Sequence, residues 1–435
     1  MTTAGMVARH LAGVLQARGK IADIGTFVPP RPHRMNVSLR ATAALLAASL
    51  TWPALAADAP AAAASAASTS AAAARCVAPG DDKTANRACA AALARTADLD
   101  RAANRNDAAL AALARADQFA PDDLRYATTR AGLALKLANQ LTPAGIEAAA
   151  AASPGDVGLA MMHAELSLAK KDWAGALADV DRVVAKRPDA PLAWEMRASI
   201  NVAKPDFPAA RTDVDRALLI DPKAPVVLRL RGVLRNNAGD HAGALADFQA
   251  ARTLAPRPDD PFVIGSTQFL QRQFGDAAAT LAKRPPAAPD GLYWRLWRFL
   301  ALARLTGLER ASGALGPGTP PGPGLPWPAP VIDYFHGSIT SATLLADAKR
   351  SQDARDLSQV CEAHFYLAED AVLRQRADAV ELFRAAAKEC PVNFHEYEGA
   401  AAELRAMGVP LTAPGPTVAA AQAAASAPSA VSPTK

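Results

Sequence analysis

Seven histidines, four cysteines and several adjacent carboxylates are the residues of this 435-residue chain that could act as general bases, metal ligands, nucleophiles or paired acids. Their spacing supports none of these roles. The sequence has no HExxH, no GxSxG, no Walker-type glycine loop and no GxGxxG placed after a strand pattern. His163 falls at an inward-facing repeat position and is expected to be a satisfied core histidine. His241 follows a Gly-Asp turn and is expected to be solvated. His336 in DYFHGS and His364 in CEAHFYL stand beside aromatics, where simple packing is expected. Asp122-Asp123 and Asp259-Asp260 follow prolines, the place where carboxylates favour helix N-termini. With no CxxC spacing and dispersed histidines, no metal, no cofactor and no enzymatic activity are expected.

The elements around these residues are repetitive. Alanine is abundant throughout, aromatics make up 5% of the chain and β-branched runs are scarce, so helix is favoured nearly everywhere. Pro121, Pro154, Pro188, Pro222 and Pro256 recur at spacings of 33, 34, 34 and 34 residues, the period of a stacked helical repeat. With each proline counted as position 32 of a 34-residue unit, Ala109, Ala176, Ala210 and Ala244 share position 20. Leu113, Val180, Val214 and Phe248 share position 24, and Ala116, Val183, Ala217 and Ala251 share position 27. The unit ending at Pro154 fits less well, with Thr142 at position 20. Lys171-Asp172-Trp173, Pro205-Asp206-Phe207 and Gly239-Asp240 occupy the turn between helices, and Gly232 stands where two helices cross. This pattern resembles the tetratricopeptide repeat. The resemblance implies an all-α fold, a tetratricopeptide-repeat α-solenoid of stacked antiparallel helix pairs with a C-terminal capping helix at 394–408.

The register loosens after Pro256. Residues 291–307 form a further expected helix with Trp294, Trp297, Phe299 and Leu300 inward, and the Pro/Gly-rich stretch 316–330 is expected to be a surface loop. Ala379, Phe383, Ala386 and Pro391 then restore positions 20, 24, 27 and 32. Four cysteines in an exported chain suggest two disulfides with three possible connectivities. Repeat position favours Cys361–Cys390, at the opening of one helix and the close of the next, and Cys76–Cys89 just before the first unit.

The formal net charge of +5 is unevenly placed. Residues 1–56 hold six Lys/Arg against one acid, which leaves 41 of each sign on the remainder, so binding to nucleic acid is not expected. Residues 35–56 read as a secretory signal peptide, with Arg40, an apolar run from Ala41 to Leu50 and Ala54-Leu55-Ala56 as a cleavage site. The run is too short for a transmembrane span. The expected organisation is therefore a non-native extension at 1–34, with the start of translation at Met1 or Met35 left open, and the signal peptide at 35–56. A disordered Ala/Ser-rich linker at 57–75, a repeat array at 76–290, a C-terminal helical region at 291–408 and a disordered tail at 409–435 follow. The expected location is periplasmic.

An array of this kind binds through the concave face lined by its first helices. Positions 5, 9, 12 and 13, with a slip of one or two residues, place Lys136, Glu165, Glu195, Arg229, Asn236, Asn237, Phe269, Arg272 and Gln273 there, a mixture suited to an extended peptide or partner helix. Over 330–407 the chain is similar to the NlpI-type envelope proteins. The similarity lies in Tyr334, Gly337 and Ile339, in Phe365-Tyr366-Leu367, in Ala379, Leu382, Phe383 and Ala386, and in Asn393, Phe394 and Glu396. It implies a periplasmic adaptor that docks cell-wall hydrolases and a processing protease. No Cys stands directly after the apolar run, the first being Cys76, well past the cleavage site, which argues against a lipid anchor. The other reading of the repeats is a structural subunit of an envelope assembly or secretion complex.

Overall fold

A computed structural model describes residues 68–284, 291–316, 327–349 and 356–411. The expected extension 1–34, the signal peptide, most of the tail and the centre of the Pro/Gly-rich stretch lie outside these residues. The described residues are all-α. In order they form α1 (Lys83–Ala102), α2 (Asn106–Phe119), α3 (Arg125–Leu137), α4 (Pro143–Ala152), α5 (Val157–Ala169), α6 (Trp173–Lys186), α7 (Pro191–Ala203), α8 (Phe207–Ile220), α9 (Pro225–Ala238) and α10 (His241–Leu254). There follow α11 (Asp260–Leu270), α12 (Phe274–Leu281), α13 (Gly291–Thr306), α14 (Leu308–Ala311), α15 (Ala329–Phe335), α16 (Ser341–Lys349), α17 (Asp356–Leu373), α18 (Ala379–Glu389) and α19 (His395–Ala406). None of these helices is long and apolar enough to cross a membrane. The chain divides into an N-terminal unit, residues 68–200 with 212–222, and a C-terminal unit, residues 201–211 with 223–411.

Local chemistry explains why helices start and stop at a 34-residue beat. The turn aspartates are N-caps: Asp172 accepts from Gly175 N at 3.0 Å, Asp206 from Ala209 N at 3.3 Å and Asp240 from Gly243 N at 2.9 Å. Before each cap the chain reverses through a left-handed residue, Lys171 in one unit and Gly239 in another, with φ of 62° and 86°. Only the second has a residue type that adopts this backbone without strain. Pro191 and Pro225 open α7 and α9, where a missing N–H costs no helical bond.

The repeat positions pack as the alignment requires. Ala109, Ala176, Ala210 and Ala244 are fully buried, as are Val180, Val214, Ala217 and Ala251. At Gly232 a Cβ would lie 2.6 Å from the Phe248 ring, so this crossing needs glycine. In the irregular unit, Thr142 caps the shortened α4 by accepting from Gly145 N, while Ile146 and Ala150 supply the buried face. Trp294, Trp297, Phe299 and Leu300 are buried in the core of the C-terminal unit. Cys76–Cys89 and Cys361–Cys390 are disulfide-bonded, with Cα separations of 5.6 and 5.0 Å.

Three expectations need correction. Residues 68–74 of the presumed linker are helical, and Ala73 packs with Cys76 into the core around α1 and α2. The Pro/Gly-rich stretch is not surface loop to its end: Ala329 and Pro330 are buried in α15, and Trp327 donates to buried Glu362 at 2.6 Å. Val409 and Leu411, assigned to the tail, pack against core clusters of the C-terminal unit.

Candidate protein-binding face

The first and second helices of three successive pairs are clasped by one recurring contact between a basic side chain and an aspartate. His163, Arg197 and Arg231, each at repeat position 7, meet Asp179, Asp213 and Asp247 at position 23. Arg197 places Nη2 2.7 Å from Asp213, and Arg231 grips Asp247 with Nε at 2.9 Å and Nη2 at 2.7 Å. Such forked geometry is the strong form of a charge-assisted bond. His163 Nδ1 stands 2.5 Å from Asp179, which Arg182 also contacts, so this histidine is a satisfied one. The aspartates are 2 to 3% exposed, and burial without these partners would be costly. The signal was in the sequence as an Asp recurring every 34 residues, but it is a clasp between helices and not a ligand site.

The other candidate histidines are placed differently. His241 is half-buried, with its ring beside Asn236 Oδ1 at 3.2 Å, and burial lowers its pKa; it is not freely solvated, because it is tucked against the preceding turn. His364 meets Glu389 at 2.7 Å. His336 does not pack among its aromatic neighbours; its ring is exposed and lies 3.0 Å from the Gly316 carbonyl. Asp123 accepts from Arg125 N at the start of α3, and Asp122 pairs with Arg87. Asp259 makes no side-chain cap. Asp260 turns inward to Arg229 at 2.9 Å, both side chains being 6 to 7% exposed, and burial raises its pKa against the pull of that arginine.

Of the nine residues assigned to the first-helix face, three lie in the N-terminal unit. Lys136 is exposed, and Glu165 and Glu195 are half-buried. In the C-terminal unit, Arg229 is used internally, as the buried partner of Asp260 and of the Ala255 carbonyl. Asn236 is buried and donates to Thr267 Oγ1 at 3.0 Å. Phe269 is 1% exposed and meets Phe274 and Trp297 edge-on. These three cannot meet a ligand, because the repeat turns them between neighbouring helices. Arg272 and Gln273 are exposed, but they belong to the turn after α11; Arg272 has the left-handed φ of 61°.

Asn237 and Arg272 face the chain's own last helix. Asn237 Nδ2 donates to Glu398 at 3.2 Å, Arg272 Nη1 reaches Glu403 at 3.0 Å, and Arg304 of α13 lies 2.5 Å from the same carboxylate. Arg405 lies against Gly239, 3.2 Å from where a Cβ would be. His395 sits edge-on to Phe262 and Trp297 at 5.4 and 6.2 Å. A Cβ on Gly399 would lie 2.5 Å from the Phe365 ring. Nine of the twelve residues of α19 are buried, far more than a terminal cap that covers one end would bury. This helix therefore fills the face formed by α9, α11, α13 and α17.

The lining of that groove is acidic as well as aromatic. Glu362 of α17 accepts from Tyr293 Oη at 2.7 Å and from Trp327 Nε1, and Glu396 of α19 accepts from Tyr366 Oη at 3.2 Å. Burial, reinforced by the Glu396 charge, pushes the Glu362 carboxyl up to about 7. Burial likewise lifts Glu369 to about 7 although Arg304 lies 2.9 Å away, because Glu403 shares that arginine. Sequence reading missed these acids because Glu396, Glu398 and Glu403 look like a solvated helix surface until the helix is seen inside the groove.

No protein-family model and no curated protein matches the chain. Solved structures with similar folds include a thermophilic TPR protein of Thermus thermophilus, 20% identical, covering 49% of this chain and 98% of that one at a TM-score of 0.31. A tetratricopeptide repeat protein of Parabacteroides merdae is 14% identical and covers 57% of this chain and 96% of that one at 0.35. Yeast Tom70 is 12% identical and covers 85% and 72% at 0.34. The helix pairs themselves, phased at 34 residues with small residues at positions 20 and 27, define the fold as a tetratricopeptide-repeat α-solenoid.

Proposed function

We propose that this chain is a periplasmic scaffold that holds other proteins on the first-helix faces of its repeats and performs no reaction of its own. The observation that carries the reading is α19 in its groove. That face already holds a helix through Asn237, Arg272 and Arg304, so its shape and polarity suit helical protein segments. Two disulfides suit an oxidising compartment, and the signal-like segment 35–56 supplies a route to it. The similarity of 330–407 to NlpI-type proteins supports cell-wall hydrolases and a processing protease as the partner classes.

The test is cross-linking in the intact envelope from photoreactive residues placed at the exposed positions Lys136 and Gln273. Discrete protein adducts are expected, and no protein adduct from either position would overturn the scaffold reading. Thiol labelling before and after reduction in the same cells tests the compartment: labelling without reductant would place the chain where its cysteines stay reduced.

A further inference from the structure

The groove of the C-terminal unit states which partner it is built for, because its resident shows the pattern it reads. Three carboxylates of α19 point at separate elements: Glu396 at Tyr366, Glu398 at Asn237 of α9, and Glu403 at Arg272 and Arg304. Between them Gly399 fits where the Phe365 ring leaves no room for a Cβ, and Ala400 and Leu404 join the core with Phe262, Trp297 and Phe365. The floor is aromatic, the rim holds Arg272 and an amide, and Arg304 is buried beneath them. The helix that suits it is acidic on its edges and built of small residues across its centre.

The connection to the rest of the fold anchors α18 independently of this resident, and release of α19 would also lift the buried residues 391–394 and undo its packing against α18. The Cys361–Cys390 disulfide ties the end of α18 to α17 five residues before α19 begins, so release of α19 does not free α18. The resident is also imperfectly satisfied. Glu396 faces Glu362 across the groove, and its Oε2 has no hydrogen-bond partner. A buried carboxylate oxygen left unpaired weakens the state that contains it. A partner helix lacking an acid at that point would keep the other contacts without this penalty.

Building on the scaffold function proposed above, we propose that the groove formed by α9, α11, α13 and α17 is a receptor for an acidic, small-residue helix of a partner protein, and that α19 is a resident such a helix displaces. The required pattern is a carboxylate at the place of Glu398 and another five residues on, with Gly or Ala at the two positions after the first. Displacement exposes Phe365 and Trp297 to the incoming helix and transfers Arg272 and Arg304 from one carboxylate to another.

The probe is a fluorescein-labelled synthetic peptide with the sequence of residues 394–408, titrated by anisotropy into the full chain. Weakening the resident with Glu398→Gln and Glu403→Gln should raise affinity for the unmodified peptide at least tenfold over the wild-type chain. The same two substitutions in the peptide should lower it at least tenfold. Failure of the peptide to bind either chain, with both folded by circular dichroism, overturns the proposal. Hydrogen exchange on the unsubstituted full chain gives an answer independent of any variant: amides of 395–406 should open before those of α17, and equal protection of the two helices overturns it. Exchange of α19 between two copies would appear as a dimer in sedimentation velocity and would also overturn it. Envelope adducts unaffected by excess peptide would sink the groove assignment while leaving the scaffold function standing. Peptide binding with no envelope adduct would do the reverse.

Discussion

Replacing Glu362 by Gln should make the C-terminal unit more stable at pH 8 and leave it nearly unchanged at pH 4.5. Burial and the opposing Glu396 move the Glu362 carboxyl from its ordinary 4.5 up to about 7. A carboxyl with a raised folded pKa binds its proton more tightly when folded. Its favourable contribution is therefore complete below about 4.5 and is lost as pH climbs to about 7. At ~1.4 kcal/mol for each pH unit, the loss amounts to about 3 kcal/mol. Glutamine stays neutral throughout, and its carbonyl oxygen can accept from Tyr293 and Trp327 as Glu362 does. Glu369 titrates over the same window in both proteins, so only the difference between them isolates Glu362. Trp294, Trp297 and Trp327 all lie in this unit and report its unfolding by fluorescence. Urea midpoints at pH 4.5, 6, 7 and 8 should diverge steadily in favour of the variant. Parallel curves for the two proteins would refute the view that a buried acid is held uncharged between α17 and α19.

Other perturbations test the repeat itself. Asp247→Ala leaves Arg231 and Arg235 to solvent, each already about a third exposed, and should lower stability by about 1 to 2 kcal/mol in thermal unfolding. His163→Arg should preserve stability where His163→Ala loses it, since arginine holds the same position in the next two units. Gly232→Leu drives a side chain into the Phe248 ring and should cost about 1 to 3 kcal/mol by the same measurement. Cys361→Ser with Cys390→Ser opens a loop of 29 residues and should cost about 3 to 4 kcal/mol. In the wild type, reductant should lower the urea midpoint of the C-terminal unit to that of the double variant.

The parts of the fold legible from residues alone were those where local chemistry and packing agree. A proline after a helix, an aspartate before the next and a small residue at the crossing each act within a few residues or across one contact, so Pro188, Asp172 and Ala176 announced their roles. Both disulfides followed for the same reason, since repeat position brings Cys361 and Cys390 to one end of a pair. The face was harder to read. Helical position predicts that Arg229 and Asn236 point away from their own second helix, but the next unit then covers them, and Asp260 and Thr267 become their partners. Contacts that depend on a segment 131 to 161 residues further along, such as Arg272 with Glu403 and Asn237 with Glu398, leave no local trace.

Two uses of charge in this protein can be separated by what each side chain loses if its partner goes. The clasp aspartates at 179, 213 and 247 are buried against cations of the same helix pair, so removing the cation strands a charge inside the repeat. Those pairs hold the array together and cannot be exchanged for a ligand. Of the groups that the carboxylates of α19 meet, Arg272 has 48% of its side chain exposed and Asn237 is half-buried, while Arg304 and Tyr366 are buried. When α19 leaves, Arg272 is solvated, Asn237 remains bonded to the Val233 carbonyl and Arg304 keeps Glu369, so these groups tolerate an exchange that the clasps do not. The aromatic floor does not tolerate vacancy, since Trp297, Phe365 and Tyr366 have no exposed surface in the filled groove. A face of this construction is stable only with a helix in it, and the question for a partner is whether its helix can outcompete the one the chain carries.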